Sequence, residues 1–213
     1  MMSPDTYDKD CRSCPRLAAF LDDVNERYPD YFCKPVPPFG DRESDFLIVG
    51  LAPGMHGANR TGRPFTGDHA GILLYQMLHK YGFASAAESL AADDDLVMTG
   101  CRITNAVKCL PPDNKPVGAE INTCNSFLEN ELHSMPKTSL VLALGCIAHR
   151  AVVKALGGRQ ADFKFAHAAV HDLGDLRMLD SYHCSRYNTN TRRLTTEMFD
   201  AVFARARELL DKY

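Results

Sequence analysis

The sequence predicts an α/β fold in which a mostly parallel sheet is covered by helices on both faces. Three observations predict it: short apolar runs alternate with longer helical stretches, the 213 residues suit one core, and no repeat or low-complexity segment interrupts them. With 45% hydrophobic and 24% charged residues, the composition is that of a globular rather than a disordered chain. We therefore expect a single domain over residues 1–213.

Four short apolar runs predict the strands of the sheet. Each is bounded by polar residues or by turn formers, as Pro53 and Gly54 bound the first, and each is too short to be a helix of ordinary length. The predicted strands cover residues 45–51, 101–107, 139–144 and 176–182. Because helices separate them, parallel pairing with crossover connections is expected.

Four stretches with helical spacing of apolar residues predict the covering helices. Gly82 is a plausible C-terminal cap for the first, and Pro136 stops the second. The predicted helices cover residues 70–82, 118–134, 145–156 and 191–211.

Composition and charge exclude several classes of protein. No apolar run reaches the ~18 residues of a membrane-spanning helix, and the N-terminus lacks the pattern of a signal peptide. The net charge of -3 argues against a polybasic protein, although it permits a small basic cleft. Without an export signal, the eight cysteines favour metal binding, catalysis or packing over disulfides. We expect a cytoplasmic protein with no membrane partner and, by default, a monomer.

The polar loops of the chain follow the predicted strands. In a parallel sheet, ligands bind beyond the carboxyl ends of the strands, so these loops are the expected site. They cover residues 52–69, 108–117, the turn at 145 and 182–193.

The first loop is rich in glycine, which lets a backbone approach a ligand closely. It matches neither nucleotide-phosphate motif, GxGxxG or GxxxxGK[ST], and a flexible surface loop is the alternative interpretation. Phe65 lies within this polar loop, either as a local anchor or as a stacking surface for a planar ligand.

Two further strand ends carry polar groups. Asn105 offers a donor and an acceptor that match the edge of a nucleobase, although an asparagine there is more often a turn former. The last loop combines His183 with hydroxyls, amides and arginines, which suits phosphate contacts, while Asn190 or Thr191 could instead cap the last helix.

Three motifs in order resemble one family. GLAPGMHGANRTGRPFTGD from Gly50, ITNAVKCLPPDNKP from Ile103 and SYHCSRYNTNTRRLT from Ser181 resemble the three motifs of family 5 (type B) uracil-DNA glycosylases. The related family 4 enzymes carry a glutamate where this chain has Ala52. The resemblance covers the chain from about Cys11 to the final helix.

The resemblance implies a three-layer α/β/α sandwich with a central, mostly parallel four-stranded sheet. It also implies a DNA repair enzyme that flips uracil out of DNA and hydrolyses the N-glycosidic bond, leaving an abasic site. Other deaminated bases, namely hypoxanthine and xanthine, are expected substrates. The alternatives are a catalytically silent iron–sulfur protein of the same fold that binds nucleic acid, and an electron-transfer protein.

The cysteine spacing fits a four-thiolate site. Cys11 and Cys14 form a CxxC pair, and Cys109 and Cys124 lie further along the chain. Spacing alone does not distinguish zinc from iron–sulfur. The resemblance implies a 4Fe–4S cluster on these four thiolates, which would tie the N-terminal segment 1–44 to the domain.

The resemblance also assigns roles to residues of the loops. Phe65 would stack on the flipped base, Asn105 would bind its pairing edge, and backbone groups at Ala52, Gly54 and His56 would bind a base carbonyl. Asp68 would activate water or stabilise the sugar cation, or would instead only cap a helix. His183 would donate a hydrogen bond to the departing base.

The remaining candidates concern contact with DNA. The residues expected to contact phosphates are Arg60, Arg63, Ser185, Arg186, Arg192 and Arg193. Either Tyr187 or Leu194 could be the side chain that enters the base stack in place of the flipped base. The chain departs from the family pattern at Cys184, where proline is usual, and at Arg192, where glycine is usual.

Overall fold

The computed structural model describes residues 6–211. The predicted domain limits 1–213 therefore extend at both ends beyond the described residues. Within them, no helix is long and apolar enough to cross a membrane.

A six-stranded mixed sheet forms the middle layer. Its spatial order is β1-β3-β2-β4-β6-β5, in which the four inner strands run parallel and the two edge strands run antiparallel to their neighbours. The strands are β1 (Phe39–Gly40), β2 (Phe46–Gly50), β3 (Arg102–Asn105), β4 (Leu140–Leu144), β5 (Val170–Leu173) and β6 (Leu176–Ser181). The predicted α/β fold with four central parallel strands is confirmed.

Helices cover both faces of the sheet. Along β2, Phe46 and Ile48 face one apolar core with α3 and α7, whereas Leu47 and Val49 face another core with α4 and α5. The helices are α1 (Pro15–Arg27), α2 (Ala58–Thr61), α3 (His69–Lys80), α4 (Gly118–His133), α5 (Cys146–Ala155), α6 (Arg186–Asn190) and α7 (Thr196–Leu210). A 3-10 turn covers Pro112–Asn114.

Apart from helix α1, the elements that the sequence did not predict are short or atypical. Strand β1 has two residues, and β5 buries only Leu173, so neither contains an apolar run. The helix predicted over 191–211 begins later, as α7 at Thr196, because Arg192 has a φ of +56°, which is not helical; the short helix α6, which precedes it, was not predicted. Thr195, rather than Asn190 or Thr191, caps α7 through a hydrogen bond from the Met198 N–H.

The N-terminal segment packs on the domain through its own side chains. Leu21 and Val24 of α1 contact Leu110 in a small apolar cluster. The Arg16 guanidinium donates to both carboxylate oxygens of Glu120 on α4, at 2.7 Å each. These contacts hold α1 to the domain independently of any metal cluster that the cysteines would bind.

A buried ion network is centred on a carboxylate of β6, the last of the parallel strands. The Asp180 carboxylate accepts from His149 Nδ1 at 2.8 Å and from His171 Nε2 at 3.0 Å. His149 Nε2 donates to the Phe163 carbonyl at 2.9 Å. Burial by itself lowers the pKa of His149, but Asp180 and that carbonyl outweigh it, so the net pKa is raised.

Asp180→Ala is expected to lower the free energy of unfolding by about 3–5 kcal/mol, because it leaves both imidazoles without their buried acceptor. A raised folded-state pKa means that the ion pair stabilises fully below about pH 6.5 and loses its effect as pH rises through that pKa. Urea denaturation at several pH values measures the loss, which should be largest at the acidic end.

Asp172→Ala is the matched control, since Asp172 is an exposed carboxylate on the adjacent β5. It should change stability by no more than about 0.5 kcal/mol. Equal unfolding midpoints for the two variants would contradict the role of Asp180.

Candidate active site

The carboxyl ends of the four parallel strands surround one open pocket of about 560 Å³. Each of the four connecting segments contributes to its wall, as the parallel topology requires. The predicted site residues that line it are Ala52, Gly54, Phe65, Asp68, Asn105, His183, Ser185, Arg186 and Arg193.

Phe65 and His183 lie side by side in this pocket. Their ring centroids are 5.9 Å apart and their planes differ by 28°. Phe65 has a φ of +54°, a conformation that non-glycine residues seldom adopt and that occurs preferentially at functional sites. The backbone is thus held in a strained form that turns this ring toward the pocket.

A glycine at the end of β2 makes room for two of the side chains. A Cβ on Gly50 would collide with Asn105 Oδ1 and would lie 2.6 Å from Phe65 Cζ. Only a residue without a side chain lets the amide and the ring approach the same backbone.

Asn105 is the last residue of β3 and is 3% exposed. Its side-chain amide makes no hydrogen bond to any other described residue, yet it is not enclosed on all sides, because it borders the pocket. An amide in this state can donate to and accept from one edge of a ligand.

His183 follows β6 and is half-buried. Its position within the pocket wall lowers its pKa to about 4, because burial disfavours the charged ring. Within residues 6–211, its ring nitrogens have no hydrogen-bond partner, while its carbonyl accepts from Asn188 Nδ2 at 2.8 Å. A neutral imidazole with a fixed backbone therefore faces the pocket at neutral pH.

Asp68 caps α3 and also borders the pocket. Its Oδ1 accepts from the Gly71 N–H at 2.9 Å, and its Oδ2 lies against Gly57, where any Cβ would collide with it. Burial raises the pKa of Asp68, although the N–H groups of Gly71 and Ala70 partly oppose the rise. The cap uses one oxygen, and the other remains available to a ligand or water.

The sequence interpretation missed part of the pocket wall. Tyr182 and Phe165 lie with ring centroids 6.0 Å apart, and the Arg193 guanidinium lies 4.8 Å from the Tyr182 ring centroid. Tyr182 directly precedes His183 in the last loop, and this position could have predicted that it lines the pocket. Nothing in the sequence indicates the same for Phe165. The other unpredicted lining residues include His69, Asn114, Cys146 and Ile147.

His56 and Arg63 do not line the pocket. His56 borders an adjacent groove rather than the pocket, and its Nδ1 is 2.9 Å from the Tyr31 hydroxyl. Arg63 is 6% exposed and faces the interior, where it pairs with Asp94 and donates to the Ala92 carbonyl at 2.7 Å. This geometry argues against phosphate contact by Arg63.

The other predicted phosphate contacts are at or near the pocket mouth. Arg60 lies in the adjacent groove and Arg186 borders both cavities. Ser185 caps α6 by accepting from the Asn188 N–H at 3.4 Å. Arg192 is exposed but borders neither cavity, and its φ of +56° lies in the left-handed region that glycine adopts most readily.

Only one of the two candidates for entering a base stack is accessible. Tyr187 is 72% exposed on the first turn of α6, beside Arg186. Leu194 is 0% exposed and belongs to the apolar core. The structure therefore leaves Tyr187 as the candidate.

Four thiols converge on a separate small cavity of about 90 Å³. They are those of Cys11, Cys14, Cys109 and Cys124. Burial and, to a smaller extent, the neighbouring thiols together raise the pKa of Cys109 to about 12. The Lys108 backbone N–H donates to Cys124 Sγ at 3.4 Å, the kind of bond that supports a ligand sulfur. Uncompensated thiolates would repel one another here, so the donor set suits a cationic group.

The spacing of these thiols is wide for a single metal ion. A tetrahedral zinc with Zn–S bonds of about 2.3 Å would place its sulfurs about 3.8 Å apart. Among the described residues, the one triad of ligand atoms within 4.8 Å is that of His149, His171 and Asp180, not a cysteine triad. The residues fit a larger cluster of several metal ions and sulfides.

Comparison with known proteins identifies similar chains. Residues 37–207 match the family model of the uracil DNA glycosylase superfamily. A "Type-5 uracil-DNA glycosylase" of Thermus thermophilus is 46% identical over 205 residues, which cover 93% of each chain. One of Pyrobaculum aerophilum is 42% identical over 92% of this chain and 87% of its own. A "Type-4 uracil-DNA glycosylase" of Sulfurisphaera tokodaii is 29% identical, over 78% of this chain and 72% of its own.

Proposed function

Because this chain belongs to the type-5 branch of the uracil DNA glycosylase superfamily, we propose that it excises uracil from DNA by hydrolysing the N-glycosidic bond. The product is an abasic site, and the activity is that of a DNA repair hydrolase. The partner is DNA that contains uracil.

The observation that carries the proposal is the shared pocket. An aromatic ring, an amide, a carboxylate and a neutral imidazole border one hollow at the strand ends, and they belong to Phe65, Asn105, Asp68 and His183. A ring and an amide can bind a base by its face and its edge, while the other two groups suit bond cleavage.

The base must leave the duplex before it can be cleaved. Flipping costs a few kcal/mol, which contacts in the pocket offset. Phe65 packs against one face of the uracil, and Asn105 hydrogen-bonds to its pairing edge. Tyr187 fills the gap left in the stack, since it is the exposed candidate at the mouth.

Cleavage separates charge across the glycosidic bond. The C–N bond breaks, its electron pair stays on the uracil, and the sugar acquires oxocarbenium character. His183 donates a hydrogen bond to the carbonyl oxygen on which the negative charge develops. Water then adds to the sugar carbon, and Asp68 accepts its proton. The departing base takes up a proton on release, so the products are uracil and the abasic sugar.

We extend the proposal to hypoxanthine and xanthine. The open pocket of about 560 Å³ has Ala52 and Gly54 in its wall, so small side chains face the ligand. A panel of oligonucleotides with single deaminated bases tests this extension, and cleavage at uracil alone would refute it.

Arg60, Arg186, Arg192 and Arg193 supply the phosphate contacts in this proposal, together with Ser185. Arg60, Arg186 and Arg193 border the cavities. Arg192 is exposed and directly precedes Arg193 in the sequence. Binding should therefore weaken as salt concentration rises.

Cys11, Cys14, Cys109 and Cys124 would hold a 4Fe–4S cluster. When bound, such a cluster would supply a structural crosslink between the N-terminal segment and the loop after β3, since hydrolysis transfers no electrons. Eight free cysteines are consistent with a reducing compartment, and we propose that the protein acts in the cytoplasm as a monomer.

Cys109→Ser is expected to yield a protein that lacks iron and sulfide and unfolds at a lower temperature, since one ligand and its crosslink are removed. Elemental analysis and absorbance near 400 nm measure the loss. Cys101→Ala is the control, because Cys101 is buried in the main core away from the four thiols, and it should retain iron. Zinc in place of iron would contradict the cluster.

The pH profile of the excision rate should show one acidic limb, which belongs to Asp68. The pKa of His183 is lowered to about 4, so its ring adds no inflection near the ordinary histidine value. The rate should fall as pH drops through the raised pKa of Asp68, because its carboxylate must be ionised. Single-turnover rates of the wild type and of Asp68→Asn measure the profile, and a limb near about pH 6.5 that persists in Asp68→Asn would contradict the neutral state of His183.

The experiment that tests the function uses an oligonucleotide with one deoxyuridine, followed by alkali. Strand breakage and free uracil are expected, and a matched oligonucleotide with thymine should remain intact. Binding to the uracil oligonucleotide without breakage would instead support a catalytically silent DNA-binding protein.

A further inference from the structure

A second cavity continues from the base pocket along the surface. It has a volume of about 830 Å³, and the two cavities share wall residues, namely Gly54, Asp68, His69, Asn114 and Arg186. Any strand that delivers a nucleotide into the pocket must leave through such an opening.

Two exposed aliphatic side chains form part of this groove. Ile72 on the first turn of α3 is 55% exposed, and Leu90 is 67% exposed. The charged lining groups are the cations Arg60 and Arg186 and the carboxylates Asp68 and Glu88, with His56 and His69 beside them. An apolar surface next to guanidinium groups matches a nucleotide, whose base is apolar on its faces and whose phosphate is anionic.

Leu90 is held outward by a rigid support. The Leu90 N–H donates to Asp94 at 3.0 Å, and Asp94 pairs with the buried Arg63. Arg63 also donates to the Ser89 hydroxyl at 3.1 Å and to the Ala92 carbonyl at 2.7 Å. A buried charge network thus fixes a loop whose tip presents a leucine to solvent.

We propose that this groove binds the nucleotide that flanks the flipped one in the same strand, with Leu90 and Ile72 against its base. This inference rests on the proposed function. It adds a recognition site that contacts an undamaged nucleotide, and it gives Arg63 a positioning role through the loop rather than a contact with DNA.

A double-mutant cycle tests the proposal, in which one change is a substitution in the protein and the other is the removal of one base from the DNA. The substrates are single-stranded oligonucleotides with one deoxyuridine, in which the neighbouring base on either side is intact or absent. Leu90→Ala should lower kcat/KM on the intact strand about tenfold, since a leucine loses its buried contact. Removing the base on one side should lower the wild-type kcat/KM by at least that factor, and should cost the variant less, because only the contact of the base with Ile72 remains to be lost.

Val97→Ala is the control, because Val97 is 59% exposed and borders neither cavity. It should respond to base removal as the wild type does. If Leu90→Ala keeps wild-type kcat/KM, or loses the full factor again when either neighbouring base is removed, the groove proposal is overturned. If the wild type excises uracil neither from these strands nor from the duplexes that they form with a complementary strand, the proposed function itself fails.

Discussion

Asp68→Ala is expected to slow single-turnover excision of uracil by about 10²–10⁴-fold, the usual contribution of a positioned general base. The carboxylate borders the pocket, and Oδ1 accepts the hydrogen bond from the Gly71 N–H that caps α3, so the other oxygen can orient water without loss of the cap. Rapid-quench measurement with enzyme in excess isolates the chemical step from DNA binding.

Asp68→Asn separates catalysis from capping. The amide oxygen can still accept from the Gly71 N–H, so the stability of α3 should be largely kept. The amide cannot take a proton from water, so the rate should fall nearly as far as in Asp68→Ala. A near-normal rate in either variant would leave Asp68 with the helix cap alone.

His183→Ala should slow the same step by about 10²–10³-fold, because it removes a preorganised donor to the charge that develops on the base. The loss should appear in kcat far more than in the affinity for uracil DNA, since the donor acts mainly in the transition state. The ring is already neutral and makes no hydrogen bond to the described residues, so the only protein interaction among them that the substitution removes is the ring contact with Phe65.

His133→Ala is the matched control, since His133 is an exposed histidine at the end of α4 and borders neither cavity. It should cleave uracil DNA at the wild-type rate. If His183→Ala does so as well, the proposed donor role is excluded.

The inner sheet was predictable because burial on both faces leaves a continuous apolar run. Strands β2 and β4 bury every residue, and each was recognised from such a run. The edge strand β5 buries one residue of four, and β1 has only two residues, so neither carries the same signal. Helix α1 was not predicted, although Pro15 at its start and the helical spacing of Leu17, Leu21 and Val24 indicate a helix.

The site was predictable where parallel topology decides it. Because strand ends meet at one edge, the loops with Phe65, Asn105 and His183 had to converge. The burial of Arg63 was not predictable, since its partner Asp94 is 31 residues away and no local pattern pairs them. The positive φ of Phe65 likewise depends on the surrounding packing rather than on its own sequence.

A crystal structure of the protein with DNA that contains 2′-fluoro-deoxyuridine tests the base pocket, because the fluorine disfavours the sugar cation and preserves the glycosidic bond. We expect an extrahelical uracil with its face on the Phe65 ring, its edge at the Asn105 amide and a carbonyl oxygen within hydrogen-bond distance of His183. A uracil that stays stacked in the duplex, or that binds outside this pocket, would contradict this expectation.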